Sequence, residues 1–432
     1  MYADCHKAVQ VWKGTDVTQG TGEEPRSYWH ATSELLVPEA DLPESSEVVV
    51  VGGGMLGIWT AYWLARGGAE VTLVERTAVA WGATGRNGGF VGGGVAEGLS
   101  GAIERVGEAD AWAVQGIAAA GRQIVREVVA EEGIDCDYRV SGTIGLALSD
   151  DEMEGIQRSV ALLASRGYEA QVMDRKQLSE LILTELGPDI AGGVFHPGNA
   201  MLHSARYLRG VAEAAQRHGA KLVIASVERL ESTGDGTDVV TSRGTIKAGK
   251  VVVGLNAWTD ELLPDLAGLI VPVRGQILAY EPLPPVFLTG VGAEFTPTGE
   301  YWQQTLDGSI VLGGCRANAP GGDIGVREMV PTDGVIASIE GIFPKLFPGL
   351  EELRVARRWA GLMAFTSDYL PVADAAPGME NVWFAGGFCG SGMSFGPRIG
   401  QLLAESVAAG ETSPTLSPLR MDRPSLGPLV AS

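Results

Sequence analysis

Three glycines spaced G-x-G-x-x-G, Gly52, Gly54 and Gly57, stand between an all-apolar run, Val48 to Val51, and a helix-like run, Met55 to Arg66. That arrangement suits a pyrophosphate. Gly52 would make the tight turn, Gly54 would let phosphates approach the backbone, and Gly57 would let the helix lie close on the strand. The helix opening at Met55 offers N–H groups and the positive end of its dipole. A second strand, Glu70 to Val74, ends on Glu75, followed by Arg76. An acid at about 20 residues from the glycines can accept both ribose hydroxyls of an adenosine.

A second strand–glycine loop–helix lies far downstream: Val382–Ala385, a loop over Gly386–Gly396, then a helix. Two such units are what a large, two-ended cofactor requires, and a chain that binds NAD does not need the second. The pair reads as FAD, with adenine on Gly52–Glu75 and isoalloxazine near Gly386–Met393. Gly387, Gly390, Gly392, Met393 and Ser394 are the expected contacts there. Between the two units lies WGATGRNGGFV, Trp81 to Val91. Its Thr84, Arg86, Asn87, Gly88 and Gly89 would form a turn rich in N–H groups around one cation, able to hold a phosphate or to face the redox ring. Arg86 is therefore a cofactor and a catalytic candidate.

The elements that position these residues alternate along the chain. Residues 101–132 carry helical periodicity, Gly142–Leu148 reads as a strand, Asp150–Arg166 as a helix and Gln171–Met173 as a strand. A helix from Ser204 to His218, capped by Ser204, leads to strand Lys221–Ile224; Val227 beyond it suits a backbone contact to adenine. Val251–Asn256 is another buried strand. From Val271 to Leu312 the pattern becomes alternating, with Asp307-Gly308 as a hairpin turn. Trp302 and Gln304 share one face there and Tyr301 the other; these side chains either pack the sheet or line a pocket. Of the arm before the first strand, Ser27–Leu36 is the amphipathic piece, and its Trp29 and His30 would pin the arm to the surface.

Composition narrows the partners. The net charge of −21 argues against nucleic acid and anionic membranes. Glycine reaches 61 residues, against about 30 at an average near 7 %. The surplus gathers in Gly52–57, Gly82–94, Gly313–322 and Gly386–396, as if the backbone there approached a ligand. Cys5, Cys136, Cys315 and Cys389 lack metal-ligand spacing and read as free thiols. No 18-residue apolar run exists, and MYADCHKAVQVWKG lacks the apolar core of a signal peptide, so a cytoplasmic location is expected.

At this point the chain resembles the D-amino-acid oxidase superfamily of flavoproteins, in the branch with glycine, sarcosine and γ-glutamylputrescine oxidases. The pieces that carry it are VVVVGGGMLGIWTAYWLA, WGATGRNGGFV, VPVRGQIL, YWQQTLDGSIVLGG, WAGLMAFTSDYLP and VWFAGGFCGSGMSFGPRIGQLLAE. The resemblance implies an α/β Rossmann-type FAD-binding domain with an inserted antiparallel-sheet substrate domain. The corresponding division is an arm, 1–45; an FAD domain of 46–138, 192–260 and 357–415; a substrate domain of 139–191 and 261–356; and a tail, 416–432. It also implies FAD-dependent oxidation of an amine C–N bond, hydride passing to flavin N5, with dioxygen reduced to peroxide. The alternatives are a dehydrogenase of an amine or hydroxy acid with another acceptor, and a non-catalytic flavin-binding assembly factor.

Two departures from the family shape the expected site. Glycine and D-amino-acid oxidases hold the substrate carboxylate with an arginine in G-L-R-P-x-T-x-D; here Met363 follows Gly361-Leu362. A thioether cannot pair a carboxylate, which favours an amine with an apolar or extended body, although Arg358 or Arg316 could restore an anion site. Sarcosine oxidases attach flavin through a cysteine where this chain has Gly361, so FAD is expected to be non-covalent. Sarcosine oxidases also place a lysine near flavin N5, but Val251 to Pro344 contains no lysine. Arg274 on VPVRGQIL and Arg86 are the substitutes. Tyr301, Trp302, Met363 and Phe388 are the candidate substrate wall, with Trp302 also a catalytic candidate.

Overall fold

Two eight-stranded sheets organise the chain, seen in a computed structural model that describes residues 25–96 and 98–429. The signal-peptide reading of residues 1–14, and Cys5 with it, lies outside the described residues. At the centre of the first sheet is Ser45–Val51, parallel to Val71–Glu75 on one side and to Gly244–Val253 on the other. Lys221–Ile224 extends the parallel layer past Val71–Glu75, and Val382–Gly386 extends it past Gly244–Val253. Val372–Ala375 closes that edge antiparallel. The central strand is apolar throughout because both its faces are covered. Val48 and Val50 enter one core cluster, Val49 and Val51 another.

Helices Met55–Arg66, Glu108–Glu131, Ser204–Arg217 and Gly392–Ala409 pack with Val48 and Val50. The last of these starts at Gly392, so the loop expected to run to Gly396 ends early. Its later glycines serve helix packing: a Cβ on Gly396 would run into Met55, and one on Gly400 would come to 2.8 Å from the Trp59 Cβ. A glycine in a helix is unfavourable in isolation, and close approach to a neighbouring helix is what retains it here.

The second sheet runs Val355–Phe365, Val271–Tyr280, Ile310–Gly313, Glu300–Gln304, Gly290–Ala293, Thr143–Ala147, Gly192–His196, Gln171–Met173. Its pairs are antiparallel except Gly290–Ala293 with Thr143–Ala147. Two expected boundaries are corrected by this pairing. Gly192–His196 and Val355–Phe365 belong to the second sheet, not to the nucleotide-binding layer. Short apolar strands look alike in either sheet, and only their partners decide. Smaller corrections concern ends. His203, not Ser204, caps helix Ser204–Arg217, its side chain accepting from the Arg206 N–H. The strand expected over 251–256 stops at Val253, and Asn256 turns away with φ +49°.

The arm docks as read. Ser27 caps the short helix Tyr28–Ala31, and Trp29 and His30 are buried. No helix among the described residues is long and apolar enough to cross a membrane.

Candidate active site

A cavity of about 530 Å³ opens at the carboxyl ends of the parallel strands, where Val51, Val74, Ala225 and Gly254 line it. This is the place where open α/β sheets bind ligands. Gly54 precedes helix Met55–Arg66 as an N-cap without a side chain to bond the first turn. A Cβ on Gly54 would have only Thr84 Oγ1 nearby, at 3.8 Å, so the cavity reaches its backbone. Thr84 Oγ1 accepts from the Met55 N–H at 3.0 Å and fixes the WGATGRNGGFV turn to the helix start. Gly57 stands behind: a Cβ there would strike the Gly52 carbonyl.

Glu75 accepts from the Gly53 N–H at 2.7 Å and the Thr77 N–H at 2.8 Å. Burial pushes its carboxyl pKa up, and these two N–H groups pull it back. Arg76, Val227 and Glu261 line the same portion of the wall. The Arg76 guanidinium lies 4.9 Å from the Trp258 ring centroid, which adds an aromatic surface there. Trp258, Leu255, Asn256 and Ser226 were not singled out from sequence. The signal available was position, since each follows the carboxyl end of a parallel strand. Asn256 Oδ1 also accepts from the Gly387 N–H at 3.1 Å, tying that strand end to the downstream glycine loop.

The second sheet supplies the other portion of the wall: Gly275, Ile277, Tyr301, Gly361 and Met363, joined by Phe388, Gly390, Gly392 and Met393. Asn87, Gly88 and Gly89 close it from the first lobe. A Cβ on Gly88 would come to 2.7 Å from the Tyr301 ring. Gly387 and Ser394 stand off the wall, Ser394 Oγ donating to the Gly92 carbonyl at 2.6 Å.

Three catalytic assignments change. Trp302 is fully buried in the second lobe, among Phe287, Phe343 and Phe347, with ring centroids 5.4–5.9 Å away. Strand alternation requires this once Tyr301 faces the cavity. Arg274 likewise points off the cavity face held by Gly275 and Ile277, into a pair with Asp323. Arg86 does line the cavity, but its guanidinium works as a clamp on the turn. Nε donates to the Trp81 carbonyl at 3.1 Å, and Nη1 donates to Pro25 and Ala360 at 2.8 and 3.1 Å.

The match to known proteins decides the family. The family model described as DAO, FAD dependent oxidoreductase, covers residues 47–406. The chain belongs to that family. A glycine oxidase of Pseudomonas aeruginosa is 29 % identical over 389 residues, 85 % of this chain and 96 % of that one. A γ-glutamylputrescine oxidoreductase of Escherichia coli is 25 % identical over 408 residues, 89 % of each. The crystal structure of a glycine oxidase from Geobacillus kaustophilus superposes with a TM-score of 0.76 at 22 % identity, over 88 % of this chain and 99 % of that one, which shows the shared fold.

As a DAO-family member the chain is an FAD-dependent oxidoreductase. The cavity fits that cofactor on the structure's own terms. It has a side-chain-free helix start, a half-buried acid beside it, and a glycine-lined extension onto the second sheet. A Cβ at Gly54 would take up part of that space.

Proposed function

We propose that the chain oxidises a C–N bond of a primary or secondary amine to an imine. Bound FAD supplies the two-electron sink. The observation that carries the reading is the character of the wall contributed by the second sheet. Ile277, Met363, Phe388 and the Tyr301 ring make it apolar, and the carboxylates lining the cavity, Glu75 and Glu261, sit with Arg76 and Val227 instead. An apolar surface disfavours ammonium, so it favours the neutral amine whose lone pair can assist loss of hydride. Burial pushes the Tyr301 hydroxyl up to about 12, so it stays protonated and does not act as a base. The names of the two curated relatives, both enzymes of amine-bearing substrates, agree with this.

Dioxygen is the acceptor expected from sequence. The pairing of Arg274 with Asp323 away from the cavity favours a non-oxygen acceptor instead. Anaerobic mixing of the holoenzyme with polyamines, N-methyl amines, amino acids and hydroxy acids tests the main reading. Bleaching by amines with an aldehyde or ketone product supports it. Bleaching by hydroxy acids alone, or by none of the panel, overturns it.

A further inference from the structure

The segment that carries Arg327 crosses from the second lobe to the first. It leaves the second sheet at Ile324, which bridges Val273, and the Gly325 N–H donates to the Pro272 carbonyl at 2.8 Å. Met329 is buried in the first-lobe core cluster of Val51 and Val253. The Val330 carbonyl then accepts from Arg274 Nη1 at 3.1 Å, and the Thr332 N–H donates to Gln276 Oε1 at 2.7 Å. Residues 324–332 are therefore a strap, anchored on the second sheet at both ends and on the first lobe in the middle.

At its middle the strap grips the cavity wall from behind. Arg327 Nη1 donates to the Ala257 carbonyl at 2.9 Å, and Nη2 donates to both Asp260 oxygens at 2.8 and 2.6 Å. Arg327 does not line the cavity, but Asn256, Trp258, Glu261 and Leu262 of the gripped segment do. That segment is weak by itself. It is a 3₁₀ turn, Asn256–Trp258, and a four-residue helix, Thr259–Leu262, neither with a side-chain cap, entered through Asn256 at φ +49°. Elements this short make too few internal hydrogen bonds to hold their own shape. Yet what the segment presents is closely fitted. A Cβ on Gly82 would come to 3.5 Å from the Trp258 ring, and the Arg76 guanidinium lies over the same ring. Glu261 stands between two arginines, 3.8 Å from Arg327 Nη1 and 4.0 Å from Arg76 Nη1.

We propose that Arg327 is a positioning residue for FAD. Through Ala257 and Asp260 it holds Trp258 and Glu261 on the wall they share with Glu75 and Arg76, where the adenosine half of the cofactor is read to bind. The second lobe thereby sets how tightly the first lobe keeps its cofactor. This rests on the FAD assignment and is independent of the substrate.

The test is FAD affinity, followed by flavin fluorescence as the cofactor leaves diluted holoenzyme. Two companion readouts are the flavin absorption spectrum at saturating FAD and the thermal unfolding of the FAD-free chain. Arg327→Gln and Asp260→Asn should each weaken FAD by about tenfold, the scale of a lost charge-assisted hydrogen bond. The double variant should be no weaker than either single one, because both remove the same contact. Arg327→Lys keeps a charge for Asp260 without the second donor for Ala257, so it should fall between Arg327→Gln and the parent. The spectrum at saturation and the unfolding of the FAD-free chain should remain those of the parent. FAD affinity unchanged in Arg327→Gln and Asp260→Asn overturns the proposal. So does a loss of FAD that Arg327→Lys does not relieve, or one accompanied by earlier unfolding of the FAD-free chain, since a general structural role would produce either.

Discussion

Asp323 grips Arg274 with both oxygens, Nη2 to Oδ1 at 2.7 Å and Nε to Oδ2 at 2.9 Å, on the face of the strand turned away from the cavity. Gln276 Nε2 donates to the same carboxylate at 2.8 Å, and both members of the ion pair are buried. Removing one member leaves the other charge uncompensated, so Arg274→Met or Asp323→Asn should each cost about 3–5 kcal/mol in denaturant unfolding. The double variant should recover much of that loss. Turnover per bound flavin should remain that of the parent. A specific loss of turnover in a fully folded variant would return Arg274 to the chemistry.

That pairing bears on the electron acceptor. Electrostatic help to oxygen reduction requires a fixed cation in a dry site. The stretch from Val251 to Pro344 supplies no lysine, and its Arg274 is spent on Asp323. Enzyme reduced anaerobically by an amine should therefore stay bleached for many minutes in air-saturated buffer and recover quickly with a quinone or dye. Recovery within seconds, with peroxide formed, would establish an oxidase.

The two glycines of the first loop should fail differently. A Cβ on Gly54 meets open cavity, so Gly54→Ala should fold normally and lose FAD. A Cβ on Gly57 strikes the Gly52 carbonyl, so Gly57→Ala should lower the yield of folded protein as well as flavin. In the parent protein, acid precipitation should release all the FAD to the supernatant, because Gly361 offers no thiol and none of the described cysteines lines the cavity. Colour retained in the pellet would mean a covalent link.

What the sequence made legible follows the kind of signal each feature carries. The Met55–Arg66 helix and the Lys221–Ile224 strand match their expected limits, because periodicity, glycine stops and apolar runs are local. Trp302 shows where local signals end. Alternation correctly placed Trp302 with Gln304 and opposite Tyr301, but it cannot say which face meets the ligand. Arg274 was misread for a related reason, since its partner Asp323 is 49 residues away. Trp258 was reachable only through topology. On this basis Trp302→Ala should cost about 3–5 kcal/mol as a core truncation while the surviving enzyme keeps its KM. A raised KM with unchanged stability would place Trp302 on the substrate wall after all.

The arm makes the last case. Ser27 Oγ donates to the Gly85 carbonyl at 2.5 Å, and Trp29 Nε1 donates to Asn87 at 2.6 Å, so the arm grips the turn that borders the cavity. His30 stacks on Trp81 at 5.1 Å with Nε2 bonded to the Ala80 carbonyl at 3.0 Å, and its Nδ1 is buried without a partner. Burial pulls its pKa from 6.5 down to about 4, and that of His203 to about 3. Both imidazoles are thus neutral in the folded protein and bind protons more readily once unfolded. The folded state therefore loses stability as pH falls from about 6.5 toward 4, by about 1.4 kcal/mol per pH unit for each histidine. Above about pH 7 neither histidine contributes a slope. Unfolding measured from pH 8 to pH 5 should show this decline, and His30→Gln should flatten part of it while weakening FAD retention through the loosened turn. An unchanged slope in His30→Gln would show that the ring is not held neutral in the folded arm.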